Sequence, residues 1–188
     1  MAAGVVTRLG VVMGLQAEAG CLRQRPDDGM LIHVSGGSAV RARIGAEELR
    51  AKGIDGLVSF GLAIGLAPVL RPGDLVVADS VVLPTGSAIA TDPAWRAALL
   101  RRLLAAGLNP RVARIAGNDE PLTSAGAKRR AFQTTFAAAL DTESHAVAEV
   151  AAAAGLPLLV VRAVVEPAES LRPAVAFAAT TVAGRTRR

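Results

Sequence analysis

The stretch Ala139–Glu166, ALDTESHAVAEVAAAAGLPLLVVRAVVE, decides the fold. It reads as a short strand, a helix over Ser144–Ala154, a turn at Gly155, and a second strand over Pro157–Val165. Glu143 stands at the start of the helix, where exposed backbone N–H groups favour negative charge. Glu166 stands at the C-terminal end of LPLLVVRAVV, the edge at which open α/β sheets place their ligands. Two carboxylates brought to one edge can hold a polyol and supply a proton. Each alone also fits an ordinary helix-start acid or a strand-end surface charge.

The rest of the chain repeats this alternation. Arg8–Met13, Met30–Ser35, Gly56–Phe60, Leu75–Ala78 and Arg111–Ala116 read as strands. Val40–Lys52, with apolar positions at Ile44 and Leu49, Asp92–Ala106, Ser124–Ala131 and Pro173–Gly184 read as helices. Asp92-Pro93 is a good N-cap and first-turn pair. Several strands are apolar throughout, as in a sheet covered on both faces. The expected fold is α/β, a three-layer α/β/α sandwich around a central mixed, largely parallel sheet. Residues 1–188 are expected to form one domain, with Leu83–Thr91 as its most flexible loop and Gly61–Gly65 as a glycine loop after a strand.

Composition narrows the function. Hydrophobic residues make up 52% and aromatics 3%, so the core must be built from Ala, Val and Leu. The net charge is +5, but the arginines fall in scattered pairs and there is no Tyr, which argues against a nucleic-acid platform built on stacking. Cys21 is the only cysteine, and His33 and His145 lack zinc-like spacing, so neither an intrachain disulfide nor a bound metal is expected. The first residues do not read as a signal peptide, and no apolar run reaches bilayer length. A cytoplasmic location is the expectation.

Three more segments fall at strand ends. GLQAE (14–18) follows the first strand and carries Glu18, a candidate general base or a first-turn helix acid. Ser35-Gly36-Gly37 lets backbone approach a ligand closely, or is an ordinary turn. Gly61–Gly65 lacks the third glycine and following helix of a dinucleotide fingerprint.

In this order, GLQAE, VSGG, SFGLAIGLAPVLRPGDLVVAD, AGNDEPL and DTESHAVAEVAAAAGLPLLVVRAVVE resemble the nucleoside phosphorylase and nucleosidase superfamily, from about Arg8 to Glu166. ESHAVA and the Ser-Phe-Gly start of the glycine loop look most like the hopanoid-associated branch, whose members are taken to remove adenine from adenosylhopane. Methylthioadenosine/S-adenosylhomocysteine nucleosidases are the next group. The resemblance implies cleavage of the N-glycosidic bond of an adenosyl nucleoside, lipid-linked ones included, without any cofactor. It also implies a homodimer or larger homo-oligomer.

It further implies roles. Glu18 would activate the attacking water, Glu143 would hold the ribose hydroxyls, and Glu166 would protonate or hydrogen-bond the purine at N7. Gly36, and Gly61, Leu62, Ala63 and Ile64 of the glycine loop, would line the pocket; Glu120 and Leu122 would lie in a loop against the base. Proton donation to the leaving base typically accelerates such a step by about 10²–10⁴. Four positions depart from the pattern. Ile64 stands in place of glycine, Thr142 of the methionine that packs on ribose, Val165 of serine, and Glu166 of aspartate. An acid misplaced by ~1 Å costs about 10²-fold.

Two alternatives follow. Phosphorolysis would use phosphate as nucleophile; Ser59 and Leu62 stand where phosphorylases place the Arg and Ser that hold it, and Arg41 and Arg43 either approach from the preceding segment or, the better reading, form a solvated helix face. A degenerate member would bind nucleosides without turnover.

Overall fold

The computed structural model describes residues 8–22 and 29–169. Their elements run β1 (Leu9–Met13), α1 (Gln16–Cys21), β2 (Met30–Val34), α2 (Ala39–Ala51), β3 (Gly56–Gly65), β4 (Leu75–Val82) and β5 (Ala88–Ala90), then α3 (Pro93–Ala105), β6 (Arg111–Gly117), α4 (Ala125–Thr135), β7 (Ala139–Asp141), α5 (Ser144–Ala154) and β8 (Leu158–Glu166). The helix expected at Pro173–Gly184 lies outside the described residues.

Local chemistry sets the helix ends. The Asp92 carboxylate accepts from the Trp95 N–H at 2.8 Å, with Pro93 in the first turn, so α3 begins where its cap predicts. Gly155 ends α5 at φ 65°, a left-handed position that favours glycine. In α2 the buried face is Ala39, Ala42, Gly45, Ala46 and Leu49; Ile44, expected on the apolar side, is half exposed. Alanines take the inner face because α2 packs closely on α5, whose Ala148 and Ala151 lie in the same aliphatic core.

All the described strands join one mixed sheet. Parallel pairings link β1 to β2 and β3, β3 to β8, β4 to β6, and β6 to β7. Antiparallel pairings link β3 to β7, β4 to β5, and β4 to β8. The pairings β3–β8–β4–β6–β7–β3 close on themselves, and β1 and β2 extend the sheet beyond this ring.

Strand β3 is the hub. One of its edges carries β8 from Leu57 to Ile64. Its other edge carries β1 only as far as Ser59 and β7 only from Ile64 onward. Phe60–Ala63 therefore face a gap in the ladder between two partners. The expected loop at Gly61–Gly65 is instead the continuation of this strand, held by the β8 rungs despite its glycines, with a bulge between Ala63 and Ile64. The expected flexible loop at Leu83–Thr91 is also ordered as a hairpin. β5 returns along β4, and the Leu83 N–H donates to the Ser87 carbonyl at 2.8 Å across a turn with Gly86 at φ 87°.

Candidate active site

Glu18 lies on α1, immediately after β1. The Leu15 N–H donates to its Oε2 at 2.8 Å, which caps its own short helix. The Leu62 N–H donates to its Oε1 at 3.0 Å. The carboxylate thus serves as the missing rung opposite the gap in β3. A Cβ at Gly61 would sit 2.7 Å from Oε1, so a side chain there would push the carboxylate aside.

Glu143 is the N-cap residue of α5 and is buried. Its Oε1 accepts from the Ser35 hydroxyl, at the end of β2. Its Oε2 lies where a Cβ on Gly14 would come within 2.7 Å. Burial pushes its carboxyl up to about 8; the nearby charges of Asp141 and Glu18 push the same way, and Arg162 and Arg41 oppose them. The surroundings of Glu143 therefore favour the neutral carboxyl over the carboxylate. Thr142 is buried beside it and donates from Oγ1 to the Gly37 carbonyl at 3.0 Å, which ties the Gly36-Gly37 turn to the start of α5.

Beneath Glu143 lies a network that sequence reasoning did not single out. Asp141 Oδ1 accepts from the N–H groups of Glu143 and Ser144, each at 2.7 Å. Its Oδ2 accepts from the Ser144 hydroxyl and from Arg162 Nε at 2.8 Å. Arg162, fully buried, also donates to the Ser59 hydroxyl at 2.5 Å, to the Ser144 hydroxyl at 2.9 Å and to the Val161 carbonyl at 2.9 Å. Burial alone would raise Asp141; the Arg162 guanidinium and the hydrogen bonds from Ser144 and Glu143 outweigh it and hold the carboxyl below its usual range. One arginine inside LLVVRAVV was the available signal, since a lone charge in an apolar strand needs a buried partner.

Arg41, read from sequence as part of a solvated face, folds back over the β2–α2 turn. It donates to the Ser35 carbonyl and, at 3.0 Å, to the Gly36 carbonyl. Arg43 does stay on the outside, paired with Glu149.

Glu166 is placed differently. Its strand partner is Ile64 on β3. It lies three residues past Ala163, the partner of Leu62, which is on the order of 10 Å along the strand at about 3.3 Å per residue. Its Oε1 accepts from Nζ of Lys128, a lysine on α4 that is 1% exposed, and the same ammonium donates to the Pro167 carbonyl at 3.1 Å. The structure thus brings Glu18 and Glu143 together, with Gly36, Gly61, Leu62 and Thr142 around them, and sets Glu166 farther along the same sheet edge.

The remaining expected residues separate. Ala63 is buried in the main core. Ile64 is buried in a second apolar cluster with Leu66, Val82, Ala116, Ala137 and Leu140, against which Leu122 packs. Glu120 is exposed, and its carbonyl accepts from the Asn118 amide at 2.6 Å. A groove of about 570 Å³ opens between Pro84, Asn118, Leu122 and Phe136; none of the three glutamates lines it. Among the described residues, no group of His, Cys, Asp or Glu is arranged to hold a metal ion, and no helix is long and apolar enough to cross a membrane.

A family model described as the phosphorylase superfamily matches residues 28–186. No curated protein matches the sequence. Solved structures do. The Helicobacter pylori 5′-methylthioadenosine/S-adenosyl homocysteine nucleosidase, complexed with a substituted pyrrolidin-3-ol, superimposes with a TM-score of 0.80 at 18% identity, covering 92% of this chain and 90% of that one. The Campylobacter jejuni 5′-methylthioadenosine/S-adenosyl homocysteine nucleosidase gives 0.78 at 18% identity, covering 87% of each. The futalosine hydrolase of Helicobacter pylori gives 0.76 at 19%, covering 86% of this chain and 88% of that one. At these identities the likeness speaks for the fold.

Proposed function

Because this chain belongs to the phosphorylase superfamily, we propose that it cleaves the N-glycosidic bond of a purine nucleoside, with water as the nucleophile. The observation that carries this reading is the nearness of two carboxyl groups: Glu18 at the gap in β3 and Glu143 close enough to feel its charge, each beside a glycine that leaves space for it. Glu18 receives a proton from water as its oxygen bonds to the anomeric carbon. The C–N bond breaks, its electron pair goes to the base, and the base takes up a proton from solvent at N7, where the Glu166 carboxylate stabilises the resulting N–H; Glu18 returns its own proton to solvent. Glu143 contacts the ribose hydroxyls and shares a hydrogen with them. Its burial makes any polar contact to the developing oxocarbenium ion stronger than it would be in water.

On this reading the substrate is an adenosyl compound, and the ESHAVA motif favours a lipid-linked one such as adenosylhopane. A second reading, phosphorolysis, draws on Arg41, whose guanidinium lies over Ser35 and Gly36 within electrostatic reach of Glu143. A homodimeric or larger assembly in the cytoplasm belongs to the same proposal.

The test is to incubate the protein with adenosine, methylthioadenosine and adenosyl lipids and to follow free adenine with and without phosphate. Adenine release independent of phosphate supports hydrolysis; strict phosphate dependence with a ribose-1-phosphate product supports the second reading. Nucleoside-induced thermal stabilisation with no base released from any substrate overturns both in favour of binding without turnover.

A further inference from the structure

Lysine is rarely buried, because its ammonium loses hydration that only well-placed acceptors replace. Lys128 is 1% exposed, while its neighbours Arg129 and Arg130 are exposed. Its Nζ meets Oε1 of Glu166 and the carbonyl of Pro167, two acceptors on consecutive residues where β8 ends. The ammonium thus spans the last strand residue and the first residue beyond it. Both the Glu166 side chain and the exit of the chain from the sheet are held by one donor. A glutamate has one more rotatable bond than an aspartate, so a carboxylate on this longer arm needs such an anchor to be held still.

We propose that Lys128 is a positioning residue for base recognition: by holding Oε1 of Glu166 it directs Oε2 toward the purine N7. This rests on the reading of Glu166 as the group that meets the base. The pairing couples α4 to the reaction centre through a side chain that does not itself touch substrate.

Two adenosine analogues read the contact directly. Formycin A carries an N–H at the position of purine N7, and tubercidin carries a C–H there. Calorimetry should show the wild type favouring formycin A by about tenfold or more, the scale of a hydrogen bond to a charged group. Glu166→Gln should weaken that preference. Lys128→Met should reduce it to within about threefold and lower kcat for base release more than it raises KM. Lys128→Arg should keep most of it.

Removing Lys128 alone leaves a buried carboxylate unpaired and can unfold the chain. The double variant Lys128→Met/Glu166→Gln removes both charges together. If Lys128 acts only through Glu166, adding Lys128→Met to Glu166→Gln should change neither the preference nor kcat further. A Lys128→Met protein that melts like wild type and keeps both preference and kcat overturns the inference. So does a further loss in the Gln background, or a folded Lys128→Arg variant without the preference. Wild type that cleaves nucleosides yet does not distinguish the analogues overturns this inference alone. Wild type that binds neither analogue and releases no base overturns the function on which it rests.

Discussion

Gly14 and Glu143 share one small space: a Cβ on Gly14 would lie 2.7 Å from Oε2 of Glu143, and Gly61 stands in the same relation to Oε1 of Glu18. Each carboxylate therefore occupies the volume that a side chain would have taken. Gly14→Ala and Gly61→Ala should each lower kcat/KM by more than tenfold, because the displaced acid leaves its productive position. The accompanying loss of stability should be about 1–3 kcal/mol, the usual scale for overpacking. Steady-state kinetics with thermal melts of both variants check this; a fully active Gly61→Ala protein would remove Glu18 from the mechanism.

Glu143 makes stability depend on pH in an unusual direction. In the folded chain its carboxyl keeps its proton to about pH 8, whereas its ordinary value is 4.5. Between these values the native state holds a proton that the unfolded state has released. The group's contribution is thus fully present below about pH 4.5 and is lost as pH rises toward 8, at up to about 1.4 kcal/mol per pH unit. Chemical denaturation across this range should show wild type losing stability relative to Glu143→Gln. Equal slopes for the two proteins would mean that Glu143 titrates normally.

Asp141 and Arg162 form a buried pair in which each satisfies the other. Asp141→Ala or Arg162→Met leaves one uncompensated charge inside the protein, and the expected cost is about 3–5 kcal/mol. Glu149→Gln, which removes the partner of Arg43 at the surface, should cost less than about 1 kcal/mol. Urea midpoints of the three variants measure the contrast. Asp141 also adds an acid limb of opposite sign: its lowered carboxyl stabilises the fold above its usual value near 3.8 and that share disappears as pH falls below it.

Ile64 invites replacement by glycine to widen a pocket, but its side chain is packed among Leu66, Val82, Ala137 and Leu140. Ile64→Gly should leave a cavity in that cluster and cost at least the ~2–5 kcal/mol typical of Ile→Ala, without raising kcat/KM. Thermal denaturation and kinetics decide. A gain in activity from Ile64→Gly would show that this side chain obstructs substrate.

The strand–helix–strand order of Ala139–Glu166 was legible because its apolar runs, its helix period and Gly155 all agree. The placement of Glu18 and Glu143 at strand ends was legible for the same reason. The continuation of β3 through Gly61–Gly65 was not, since glycine after a strand reads as a turn; in the fold its missing Cβ makes room for Glu18. Ser35 looked like part of a glycine turn, and only the return of the chain after more than a hundred residues brings Glu143 to its hydroxyl. Lys128 was invisible, because beside Arg129 and Arg130 nothing in the spacing separates an inward lysine from an outward one. Ser59 reads as a phosphate-site position, but in the fold its hydroxyl accepts from Arg162.

The bond from the Leu62 amide to Glu18 stands in for a backbone rung where β1 has ended and β7 has not yet begun. On the proposed mechanism, architecture and chemistry would thereby draw on one carboxylate. A relative of this fold without turnover would still be under selection to keep that acid, because losing it would leave the Leu62 amide without its partner. Retention of Glu18 in a lineage is therefore weak testimony for an active enzyme; the pair Gly14 and Glu143, which closes no gap in the ladder, is the better witness.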